Sequence, residues 1–463
     1  MKKTISILLI TALISLLFFG CTETKPDRLS SIDTPPAPST TDAPTDPPAT
    51  DAPTAPPATD APTAPPATDA PTAPPATNTP TAPPATNAPT APPASEGPSI
   101  VASGDWDHGP VRWQITSDGV LTIIGNKHIQ GSYSYIWKDY SNIITKIVIS
   151  DGITGIPHDA FSNMTNVTSV YLSNALTAID ENAFENCTNL TTAYLPASLQ
   201  TIGARAFSNC TSLVNISFDN VPQLSYIGEY AFAKSSITRF CAPQNLTRLE
   251  AYAFSECPNL QTIIIDGPAV AIRPMVFINC KNLQHVVLGP SITHFGGAMF
   301  DGCPNITTLQ TDTRFAWHFN DYKNLTSVII AGRSPSSGRF EGCNLLSSVT
   351  FLAPIREFTS SAFEGCTSLT TITIPETVKL IDHAAFRTSG ITTITIPASV
   401  ETIDSDVFAY SALTEITFNG DAPEISNTAF RNISVTAYYP QGNETWTESA
   451  LSNYGGNITW VPY

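Results

Sequence analysis

A phenylalanine recurs at positions 161, 184, 207, 232, 254, 277, 300, 340, 363, 386, 408 and 430, 22 to 25 residues apart except once. A fixed period of this length restricts the chain to a solenoid. No single unit can bury its own apolar face, and stacking on neighbours makes the core. The stretch from Ala362 to Phe386 holds one full period. Leu369, Ile372 and Ile374 are apolar with threonines between them, which reads as a short β-strand, and Pro375 ends it. A second apolar pair, Leu380 and Ile381, precedes the next Ala-Phe.

Aligning the units against one another shows what each position demands. The place of Leu369 is filled by Val167, Leu190, Leu213, Ile237, Leu260, Leu283, Ile306, Leu325, Leu346, Ile391 and Leu413, all aliphatic. The 40 residues from Phe300 to Phe340 hold two such strands, so one unit there is shortened, with Trp317 or Phe319 filling the core. Cys187, Cys210, Cys257, Cys280, Cys303, Cys343 and Cys366 each stand three places after the repeat phenylalanine; elsewhere that place holds Met164, Ser235, Ser389, Ser411 or Ile433. A position that accepts all of these is selected for size and burial. Rungs about 4.8 Å apart are too wide for disulfides, and CxxC metal spacing is absent, so the ladder reads as shielded, reduced thiols.

Strand positions that alternate with the core set face outward, and a solenoid's sheet is its natural contact surface. Toward the C-terminus these positions form a Ser/Thr field, for instance Thr371, Thr373, Thr393 and Thr395. Toward the N-terminus they are more particular. Tyr171 and Tyr194 stack on consecutive rungs, Arg239 and His285 follow, and Ile264 and Val287 make an apolar patch. Tyrosines offer contact area at low entropic cost, which suits protein or sugar ligands. Cys241 falls at an outward place and reads as an exposed thiol.

The chain's first residues have a different logic. Two lysines, an apolar run from Ile5 to Phe19 and then Gly20-Cys21 form a secretory signal over residues 1–20. Residues 21–99 are a Pro/Thr-rich stalk, with six copies of a nine-residue unit such as TDAPTAPPA between Thr41 and Ala94. Proline at this density gives a disordered but semi-rigid polyproline spacer, about 3.1 Å per residue and so on the order of 200 Å long. Residues 100–142 read as an N-terminal β cap, because Val111–Thr116 and Val120–Ile124 alternate around a Ser117-Asp118-Gly119 turn. Residues 143–435 are the solenoid. Residues 436–463 are a C-terminal cap rich in aromatics: Tyr438, Tyr439, Trp446 and Trp460.

A formal net charge of −17 argues against a nucleic-acid partner, since no basic cluster follows Lys2 and Lys3. Motifs of the GxSxG, HExxH and GxxxxGK kind are absent, the histidines are scattered, and no carboxylate pair falls on the strand face. The sequence therefore reads as non-catalytic, with no cofactor and no metal site; the run Gly104-Asp105-Trp106-Asp107-His108-Gly109 reads as a solvated loop.

Units of the form LTTITIPETVKLIDHAAF resemble the BspA-like leucine-rich repeats of bacterial surface proteins, and the ends, SDGVLTIIG and AYYPQGNETWTESALSNYGGNITWVPY, resemble the flanks of such proteins. The resemblance implies a mainly β, leucine-rich-repeat solenoid of about 12–13 units of 22–25 residues. Gly20-Cys21 is similar to a lipoprotein signal, with Phe18 where leucine is commonest; it implies lipidation at Cys21 and anchoring to the extracellular face of the membrane. The family is associated with adhesion, which implies an extracellular protein or glycan ligand. It has no common ligand site to carry over.

Overall fold

The computed structural model describes residues 98–463, other than 107–110, 128–134, 268–269, 291, 313–318, 320–321 and 333–335. The signal segment, Cys21, the stalk and Trp317 lie outside the described residues. The fold is a β-solenoid, with a single turn of 3-10 helix over Ile136–Tyr140.

Each full rung has two short strands and a helix-free turn between them. The first strand set forms the main face. Val120–Ile124, Lys146–Ile149, Ser169–Tyr171 and Thr192–Tyr194 pair in parallel, one rung after the next, and the antiparallel strands Ile100–Trp106 and Val111–Thr116 extend this sheet at its N-terminal edge. The second set consists of two-residue strands, such as Ala178–Ile179 and Leu380–Ile381, where the sequence shows its second apolar pair. Such short elements survive because their neighbours above and below share the ladder and each isoleucine points inward.

The core is the aromatic stack itself. Phe184, Phe207 and Phe232 lie 5.1 and 5.3 Å apart with interplanar angles of 9° and 3°, and the stack is continued by Trp137 at one end and by Phe430 at the other. Phe319 fills the shortened unit. It is fully buried, 5.4 Å from Phe300, and the strands on either side pair Thr308 with Ser327 at an offset of only 19 residues.

One element departs from the expectation. Residues 371–374 form no strand, so the face is interrupted between Ser348–Phe351 and Thr393–Ile396. Ile372 and Ile374 still point inward and Thr373 outward, so the side-chain alternation is as expected while the strand ladder is missing. The backbone stays tied before the missing strand, where Ser368 N donates to Asn344 O at 3.1 Å and Thr392 N donates to Thr370 O at 3.0 Å. A second interruption falls at Asn215, which makes only an isolated bridge to Thr192. Here the unit is 25 residues long, and Phe218 drops into the core edge-on to Phe232, 5.4 Å away.

The phenylalanine side of each rung is built differently. Residues two before and two after the phenylalanine have positive φ, as in Asn182 (56°) and Asn186 (61°), or Tyr230 (55°) and Lys234 (62°). Such values are uncommon outside glycine and are tolerated best by asparagine, which supplies six of them. They aim three amides the same way. Asn182, Phe184 and Asn186 donate to Ala204 O, Ala206 O and Ser208 O of the following rung, and the pattern recurs along the stack. The asparagine side chains add a ladder of their own, Asn209 to Asn186 to Asn163, each at 2.9 Å.

The first rung would leave its carbonyls without donors, and the N-terminal segment supplies them. Tyr135 Oη donates to His158 O and Trp137 Nε1 to Ala160 O at 2.9 Å, while beside them Lys138 Nζ donates to the Ser162 hydroxyl at 2.9 Å. Burial lowers the Lys138 pKa, against the pull of Asp159. At the other end, Phe430 N donates to Tyr454 O, and Trp446 packs 4.9 Å from Phe418 with Nε1 on Gly420 O.

The cysteine ladder is seven free, buried thiols. Each Sγ lies 3.0 to 3.3 Å from the carbonyl oxygen of an aromatic one rung back: Cys187 on Phe161, Cys210 on Phe184 and so on to Cys366 on Phe340. The position is thus a hydrogen-bond donor as well as a filler. Ser235 and Ser411 reproduce the bond on their own rung's phenylalanine, at 2.7 Å. The donor is dispensable at Met164, the first rung, and Ile433, the last.

Candidate functional site

The strand face carries the side chains that the core does not use, and register decides which of them meet. Val148, Tyr171 and Tyr194 are direct partners on three consecutive strands, with Lys146, Ser169 and Thr192 in the parallel row beside them. Tyr171 is 43% and Tyr194 61% exposed, their ring centroids 5.8 Å apart and tilted by 40°. Lys146 Nζ lies 4.4 Å from the Tyr171 ring centroid, a cation on a π face. Asn215 Nδ2 closes the neighbouring row on Thr192 Oγ1 at 3.2 Å.

Lys146 and Val148 are not among the residues singled out from the sequence. The signal was there: one period of 23 residues back from Ser169 and Tyr171 lands on them. Their strand lies at the border of the cap, where the phenylalanine marker has not begun.

The remaining sequence candidates form a separate group. Arg239–Cys241, Thr262–Ile265 and His285–Leu288 belong to another sheet, beyond the break at Asn215. Cys241, Ile264 and Val287 are partners in register and make a small cluster of their own, with exposures of 7%, 5% and 6%. The exposed thiol and the open apolar patch expected from the sequence are therefore corrected: Cys241 is not a free thiol, and the patch is closed. Three apolar side chains on adjacent rungs cover one another, and Arg239 folds back along its strand to place Nε 2.9 Å from Cys241 Sγ. His285 Nδ1 is 2.8 Å from Thr308 Oγ1, and burial lowers its pKa, which keeps the ring neutral near pH 7. Tyr171 and Tyr194 remain as the open part of the face.

Among the described residues no cluster of three His, Cys, Asp or Glu is placed to hold a metal. Cys187, Cys210 and Cys366 are poor nucleophiles, since burial pushes Cys187 up to about 12 and raises the other two as well.

A family model described as the BspA type leucine rich repeat region matches residues 133–260, 220–316 and 333–454, most of the chain. The chain belongs to the BspA-type leucine-rich repeat family. Among solved structures it is similar to a leucine-rich repeat protein of Bacteroides ovatus, at 18% identity over 76% of this chain and 98% of the other, with a TM-score of 0.35. It is also similar to a leucine rich cell surface protein of Faecalibacterium prausnitzii, at 22% identity over 71% and 97% with a TM-score of 0.27. The pneumococcal vaccine antigen PcpA matches at 16% identity over 78% and 98%, with a TM-score of 0.30. Comparison with the curated proteins returns no match.

Proposed function

We propose that the chain is a surface-displayed, non-catalytic binding protein, an adhesin that contacts a protein or glycan of a host or neighbouring cell through its strand face. The observation that carries this reading is the exposed Tyr171–Tyr194 pair with Lys146 upon it, on a face whose apolar side chains are elsewhere covered. Large aromatic side chains left in solvent contribute little to folding, whereas tyrosine and cation together are common anchors of interfaces. The family's repeat architecture, built for contact area and not for catalysis, supports the same reading.

In this reading Cys21 carries the lipid, residues 21–99 act as the stalk, and the solenoid is held away from the membrane. Full-length protein displayed on a non-adherent bacterium tests it. Adhesion to matrix proteins, mucins or epithelial cells that disappears with Tyr171→Ala/Tyr194→Ala supports the reading, and Cys21→Ala should shed the protein into the medium. A second role, a structural envelope component, is favoured by the Thr-rich C-terminal half of the face. It stands instead if display confers no adhesion while the protein is folded and abundant.

A further inference from the structure

The charge on the strand face is unlike that of the chain. The whole sequence has 39 acidic residues against 22 basic ones. Yet no face strand from Val111–Thr116 through Ser348–Phe351 contains Asp or Glu, while Arg112, Lys146 and Arg239 all stand on them. Arg112 is held by Asp105 at 3.2 Å. Lys146 makes no ion pair with any described residue and rests on Tyr171. Between Asp105 on the edge strand and Glu415 on a later strand, this acidic protein carries no carboxylate on a face strand, and a cation stands at the head of its exposed aromatic strip.

The shape of the strip narrows the ligand. Two tyrosine rings run side by side along the ladder, flanked by the hydroxyl and amide groups of Ser169, Thr192 and Asn215. Both rings stand well exposed, tilted by 40° to one another. A protein partner's anchor wants a desolvated pocket, which is where interface energy concentrates. The flat C–H face of a pyranose instead needs a flat π surface, with polar groups at its rim for the ring hydroxyls.

We propose, resting on the binding-face reading above, that Lys146, Tyr171 and Tyr194 form a subsite for an acidic polysaccharide bearing uronate sugars. A sugar ring lies on the tyrosines and its carboxylate meets the Lys146 ammonium. The pair is a charge-assisted contact, so binding weakens with salt.

The test uses the full chain in solution over immobilised hyaluronan and polygalacturonate, with fully methyl-esterified polygalacturonate as the uncharged counterpart. The expected result is saturable binding to a free acid, at least tenfold weaker on the ester. Lys146→Gln should cost about tenfold, and Tyr171→Ala/Tyr194→Ala should abolish binding. Tyr230→Ala/Tyr252→Ala removes a parallel pair 4.6 Å apart beside the phenylalanine turn and should leave binding unchanged. Thermal unfolding of each variant separates lost binding from lost fold. Equal binding to acid and ester, an unaffected Lys146→Gln, or loss only with the Tyr230/Tyr252 variant overturns the proposal. Silence on every uronate polymer, with adhesion to a protein that needs Tyr171 and Tyr194, also overturns it while the binding-face reading stands. Adhesion indifferent to both tyrosines removes the two together.

Discussion

The two halves of the strand face stand on the same kind of rung and look nothing alike. From Lys146 to Tyr194 the outward places hold a cation and exposed aromatics, whereas Thr393 and Thr395 sit at equivalent places on a strand whose inward Ile394 and Ile396 are buried in the same way. The interior does not distinguish these halves, since phenylalanines stack at 5.3 Å near the first and 5.9 Å near the second. The fold is therefore indifferent to what the face carries, and differences between the halves report on contact and not on stability.

The largest effect should come from the part the halves share. Phe207→Ala removes a ring that stacks on both neighbours and should cost about 3–5 kcal/mol in denaturant unfolding. An equally large loss from a face residue would break the comparison. Next is the edge of the stack: Trp137→Phe keeps an aromatic at the head of the ladder but leaves Ala160 O without its donor, at about 1–3 kcal/mol.

The thiol ladder gives a pH-dependent version. Burial raises the folded-state pKa of Cys187 from 9.0 to about 12, and it raises Cys210 too. The protonated thiols favour the folded state, so stability is intact below pH 9. It declines above it as the unfolded chain's thiols ionise, by about 1.4 kcal/mol per pH unit for each thiol until the folded pKa is reached. Unfolding midpoints across pH 8 to 10.5 should show this slope, and Cys187→Ser/Cys210→Ser should reduce it by the share of those two thiols. The smallest stability effects belong to the face. Tyr171→Ala/Tyr194→Ala should change stability by less than about 1 kcal/mol, and Thr395→Ala by less than about 0.5 kcal/mol. Only the first should alter adhesion.

What was legible in the sequence follows from how each feature is encoded. The phenylalanine and aliphatic ladders were, because burial demands the same residue type once per period. The substitution of Phe319 in the shortened unit was among the expected choices for the same reason. The positive-φ side was not, because Asn, Arg, Tyr, Lys and Met all occupy it and the backbone, not the side chain, does the pairing. The thiol's bond to a carbonyl was hidden by Met164 and Ile433, which hold the position at the two ends. At the candidate site, the outward direction of Tyr171 and Tyr194 could be read from alternation alone. The closure of Cys241, Ile264 and Val287 could not, since alternation gives a side chain's direction and not what its neighbours cover. Lys146 was missed because its strand precedes the first phenylalanine.

The aligned amides beside the phenylalanine stack make the array a polymer with a direction. One end face offers acceptors and is finished by Tyr135 and Trp137, which donate; the other offers donors and is finished by Tyr454, which accepts. The terminators are of opposite chemistry and cannot be exchanged. Along this side, two such molecules stripped of a cap could lengthen one another only head to tail, because like ends would set carbonyl against carbonyl or amide against amide. Head-to-tail joining gives a ring where the rotation closes and a fibre where it does not. The caps thus fix the length of the array as well as its solubility.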